Sequence, residues 1–188
     1  AEEVLHMEEE ADRIYWMIVR QLLLAVLDKR VSKEVGIEGS MHVIGNRVIV
    51  KSLEQMGDLA SHIAQEALKL KSDAKKIDQN IIKGIVDFSE RVRALIGDSF
   101  NALMKGDVKK SNECIERVAD CEQLERSLTA DVMRNVKEVN LAVGLRSIIW
   151  DVGQMAKDTE AIAEVAINRY IEVPNDFVLW EKVEAHEG

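Results

Sequence analysis

The chain reads as all-α, an up-and-down helical bundle built from two related repeats. Three observations predict this. Long stretches hold no helix breaker: Pro174 is the single proline among 188 residues, and the ten glycines are scattered. Apolar residues recur at spacings of three and four through five successive segments. Two pairs of those segments can be laid over one another in register.

The first segment predicts a helix over residues 2–31, with Leu5, Ala11, Ile14, Ile18, Leu22 and Val26 on one face. Its run from Ile14 to Leu27 is interrupted by Arg20 and Gln21 and is too short to span a bilayer, so it reads as a deeply buried helix. Ser32 to Ser40, with Gly36 and Gly39, reads as a loop. A second helix follows over 41–70, with Ser40 as N-cap and Ile44, Ile49, Leu53, Met56, Ile63 and Ala67 as its stripe. Val48-Ile49-Val50 is β-prone but keeps the helical period, and no strand is expected. The third helix, over 73–105, is capped by Asp73 and carries Ile77, Ile81, Ile85, Phe88, Val92, Leu95 and Leu103. Gly106 and Asp107 read as a tight break, Asp107 capping a fourth helix over 107–137 with Ile115, Val118, Cys121, Leu124 and Leu128 inward. A fifth, over 140–172, stops ahead of Pro174. Asn175 or Asp176 then caps a short final turn with Phe177, Leu179 and Trp180. Short links between long helices favour antiparallel neighbours.

The repeat emerges by sliding the second helix onto the fifth at an offset of 99. Arg47, Ile49, Gln55, Met56, Ile63, Ala64 and Ala67 fall on identical residues at 146, 148, 154, 155, 162, 163 and 166. The first helix slides onto the fourth at an offset of 110, where Ala11, Ile14, Ile18 and Leu22 meet Cys121, Leu124, Leu128 and Val132. The second copy thus has three helices and the first shows two. The expected layout is a first repeat at 1–71, lacking its opening helix, a second at 72–172, and a tail at 173–188. The abrupt start, without initiator Met or cap, points to an N-terminally truncated chain.

A 47% hydrophobic and 31% charged composition suits a folded domain. The net charge of -9 repels nucleic acid phosphates, so no direct nucleic acid binding by this segment is expected. Cys114 and Cys121 lie seven residues apart on one helix, ~10 Å along the axis, too far for a disulfide. They read as small core residues of a reduced, cytoplasmic protein.

The stretch Leu53-Glu54-Gln55-Met56-Gly57-Asp58-Leu59-Ala60-Ser61-His62-Ile63-Ala64-Gln65 resembles the most recognisable motif of the PhoU family of phosphate-uptake regulators. Phe100-Asn101-Ala102-Leu103 with Gly106-Asp107 is similar to that family's turn between the first two helices of a repeat. The resemblance covers most of residues 1–171. It implies two three-helix repeats and a role in relaying phosphate status through a phosphate ABC transporter and a sensor kinase or transcription regulator. Some archaeal relatives place an AbrB-like DNA-binding domain ahead of this region.

The family also implies paired acids of the form Glu/Asp-x-x-x-Asp on two helices of a repeat, which bind metal in some members. The first copy keeps both pairs: Glu8 with Asp12 and Glu54 with Asp58. Carboxylates at i and i+4 leave one helix face together. Two such pairs on neighbouring helices would offer oxygen ligands suited to magnesium, manganese or iron, or to zinc with His62 adding a nitrogen. In the second copy the equivalents are Val118 with Glu122 and Gly153 with Lys157, so one site at most is expected. Singly, such pairs are more often plain solvated surface. Arg47 and Arg146 are expected to pair with acids across helices rather than to bind phosphate.

The leading reading is a regulatory interaction protein without catalysis, and a homodimer, because a two-helix first repeat leaves an apolar face around Ile14 to Leu27 to be covered. One rival is a carboxylate-bridged di-metal enzyme of the ferritin type, which needs two Glu-x-x-His pairs. Glu3 to His6 is one, and no second exists, since Leu59 and Gly39 precede His62 and His42. Another is a helical adaptor without a ligand.

Overall fold

The computed structural model describes residues 2–37 and 39–172, and within them every long element is a helix. The six are α1 (Glu2–Leu27), α2 (Lys29–Glu34), α3 (Ser40–Leu70), α4 (Gln79–Lys105), α5 (Val108–Asn135) and α6 (Val139–Glu172). The predicted final turn at Phe177, Leu179 and Trp180 lies outside the described residues.

Capping chemistry sets the ends, and twice it moves a predicted one. The first helix does not run to 31. Asp28 turns to an extended backbone (φ -131°, ψ 115°), and its carboxylate accepts from Arg30 N at 2.8 Å, starting α2. The third helix does not start at Asp73. Ala74–Lys76 forms a single 3-10 turn, and Asp78 caps α4 by accepting from Asn80 N. Ser40 is the first residue of α3 rather than its cap, and extended Gly39 holds the cap position. The break between α4 and α5 is as read: Gly106 sits at φ 63°, and Asp107 accepts from Lys110 N at 2.9 Å. Nothing lies within 4 Å of a Cβ placed at Gly106, so Gly106→Ala meets only the backbone strain of the left-handed region. We expect a loss of about 1 kcal/mol, read as a drop of a few degrees in a thermal melt.

Helices α4, α5 and α6 pack against one another around the main core, where Phe88, Leu95 and Ile149 are fully buried with Val92 and Val132. Cys114 and Cys121 are free, and burial pushes both thiols up. Helix α3 lies antiparallel along α6: Gly45 sits by Val165, and Leu70 by Gly144. Helix α1 packs on α3 and on α2.

The stripe predicted for α4 is the one buried, whereas that predicted for α1 holds at Leu22 and at partly buried Ile18 and fails at Ile14 and Val26. Tyr15, Val19, Leu22 and Ala25 face inward. Ile14 and Val26 are 53% and 62% exposed, as are Trp16, Met17, Leu23, Leu24 and Leu27 by half or more, so the Ile14–Leu27 run is not deeply buried. Ile44 and Leu53 of α3 are exposed as well. The repeat explains why. Val152, equivalent to Leu53, is 3% exposed because α4 closes over α6, whereas Leu53 is 43% exposed. No described helix is long and apolar enough to cross a membrane.

Candidate metal centre

Asp12 projects from α1, and Glu54 and Asp58 from successive turns of α3. One carboxylate oxygen from each lies within 4.8 Å of the other two, the single such group of His, Cys, Asp and Glu among the described residues. Helices α1 and α3 pass close here, a Cβ placed at Gly57 lying in ordinary contact with the Ala11 methyl at 3.8 Å. The donor set fits one hard cation: bonds of about 2.1–2.4 Å place two ligand oxygens no farther apart than twice that length. Without a cation the cluster is strained. Loss of solvent pushes Asp58 up, and Glu54, Asp12 and Glu8 repel it further, while Lys51 opposes the rise. Lys51 is ion-paired with Glu54 and lies over the Tyr15 ring, so a resident ammonium already stands at the rim.

Glu8 belongs to the same electrostatic field but is held slightly apart, accepting from Ser61 Oγ at 3.2 Å. His62 is not gathered into the cluster. It turns toward α6, where its Nδ1–H donates to Asp151 Oδ2 at 2.6 Å, and its Nε2 stands 3.8 Å from Glu66. Asp151 is fully buried, and its second oxygen has no partner among the described residues. Burial pushes its carboxyl up, against the pull of His62. Arg47 lies over the Tyr15 ring at 5.0 Å rather than on an acid.

Sequence reading missed Asp158. Burial pushes it up to about 6, Lys51 drawing it down and Glu54 adding to the rise, so this α6 carboxylate shares the field of the cluster. The repeat could not flag it, because its counterpart is Leu59. The antiparallel run of α3 along α6 is what brings it near.

Residues 1–67 match the model of the PhoU domain. No curated protein matches the chain. The chain thus carries a match to the PhoU domain over its first 67 residues, the part that holds Glu8, Asp12, Glu54, Asp58 and His62.

Proposed function

We propose that the chain regulates phosphate uptake or phosphate signalling through protein–protein contacts, and that it holds a divalent or trivalent metal ion at Asp12, Glu54 and Asp58. The family supports the phosphate role. The observation that carries the contact role is the open apolar surface of the first repeat: Ile14, Leu53 and their neighbours lie exposed, while α4 covers the matching surface of the second repeat. Exposed large apolar side chains on α1 and α3 support a docking surface there. The partners that fit are a component of a phosphate ABC transporter, a sensor kinase or a transcription regulator, and a second copy of the chain in a homodimer. The chemistry invoked is binding, and no catalytic step is assigned.

An Ile14→Glu/Leu53→Glu variant tests this. Both side chains are exposed, so the fold should survive with an unchanged melting temperature. We expect binding to the partner to weaken by about tenfold or more, and phosphate uptake to lose its control in cells carrying the variant. Sedimentation velocity on the same protein reports whether self-association uses this face. Unchanged partner binding, phosphate control and oligomeric state would overturn the contact reading.

A further inference from the structure

We propose that Lys157 is the built-in cation of the second repeat, its ammonium standing in the α5–α6 pair where a metal ion would stand in the α1–α3 pair. The comparison rests on the metal reading of the first repeat, but the geometry of the second is its own. In the two registers, Glu122 of α5 is the counterpart of Asp12, and Lys157 of α6 that of Asp58. These two counterparts meet: Lys157 Nζ lies 3.5 Å from Glu122 Oε1. Where the first repeat sets two acids against each other, the second sets an acid against a lysine.

The third position is filled as well, from the opposite helix. Gly153 is the counterpart of Glu54, and a Cβ there would collide with the Glu125 carboxylate. Glu125 therefore occupies the space that a side chain at 153 would enter. Its carboxylate lies in the fields of Lys157, Glu122, Arg146 and Arg126. Arg146 is the counterpart of Arg47, and residue 125 that of Tyr15, so the charge of Arg146 acts on the α5 position equivalent to the α1 ring that Arg47 covers. The second repeat thus pairs one carboxylate, Glu122, with the ammonium and sets a second, Glu125, within its electrostatic field. Gly153 leaves room for the Glu125 carboxylate, which a side chain at 153 would have to push aside, so a carboxylate from α5 stands where the first repeat offers one from α3. A fixed ammonium offsets the Glu122 charge at any metal concentration, whereas in the first repeat Lys51 pairs with Glu54 and leaves Asp12 and Asp58 to face each other, so the first repeat is the half that responds to metal.

Manganese(II) chloride is the probe, with bound metal counted by mass spectrometry after gel filtration and by titration calorimetry. Lys157→Asp supplies a third carboxylate beside Glu122 and Glu125. We expect it to bind one further equivalent of manganese compared with the parent, and to keep that equivalent when Asp12→Ala and Asp58→Ala are added. Should the parent hold none while Lys157→Asp holds one, the first-repeat metal reading fails and the role of Lys157 stands. A folded Lys157→Asp protein that gains no manganese overturns the proposal, whatever the parent binds. Lys157→Gln guards against misfolding of the acidic variant. Removing the charge alone should admit weaker, saturable manganese that Glu122→Gln abolishes, and no uptake by it likewise overturns the proposal.

Discussion

Adding manganese to the metal-free protein should raise its melting temperature, and the Asp12→Ala/Asp58→Ala variant should lose that rise. A ligand at a hundred times its dissociation constant stabilises by about 2.7 kcal/mol, roughly 5–10 °C for a chain of this size. The variant carries a second, opposite signature. With no metal present it should melt above the parent at neutral pH, because the parent holds three carboxylates within 4.8 Å of one another. Asp58 fixes the pH dependence. Its carboxyl is raised in the folded chain, so the ionised form costs stability there. As pH falls through that raised value the folded state takes up the proton first, and the cost disappears by the ordinary aspartate range. The gap between metal-free variant and parent should therefore close on acidification. No thermal response to magnesium, manganese, iron or zinc would remove the site.

His62→Ala should destabilise the protein by about 2–3 kcal/mol near pH 8 in a denaturant titration, although the histidine side chain is 46% exposed. The cause is the partner left behind. Asp151 is buried, one oxygen is already without a hydrogen bond among the described residues, and His62 holds the other. Removing the imidazole strands a carboxylate between α3 and α6. Burial raises the Asp151 carboxyl, so on lowering the pH through that raised value it is neutralised in the folded state and the deficit should shrink. Asp151→Asn on the His62→Ala background should restore most of the loss, since a neutral amide costs less to bury than a charge. A free-energy change under about 0.5 kcal/mol would release His62 from its role as clamp and return it to the metal question.

What was legible followed from chemistry that acts locally. The Gly106–Asp107 break was readable because a left-handed glycine followed by a capping aspartate is a short-range signal. The stripe from Ile81 to Leu95 was readable because most apolar residues of α4 gather on one face. Helix α1 largely defeated the same method: with Ile14, Trp16, Met17 and Leu23 distributed around it, periodicity offers several faces, and it chose Leu22 but not Tyr15, Val19 or Ala25. Asp73 was the expected cap, but a single 3-10 turn follows it and Asp78 caps α4 instead. In the site, the family resemblance implied Glu8, Asp12, Glu54 and Asp58, the last three of which the fold brings together. Spacing placed His62 with them because one turn separates it from Asp58, yet Asp151 on α6 claims its ring. That pairing crosses between the repeats, and the counterpart of Asp151 is Ser52, so no internal comparison pointed to it.

Helix α1 rests on α3 and α2, at the edge of the molecule, while the main core belongs to α4, α5 and α6. Its backbone amides should therefore exchange with solvent through a local detachment that leaves the rest folded, at a free energy below that of global unfolding. Asp12 stands on the helix that detaches, and Glu54 and Asp58 on one that remains. A cation held among them would cross the seam along which the protein opens most readily. Deuterium uptake in α1, measured with and without manganese, would then register metal as a change in how often that helix lets go.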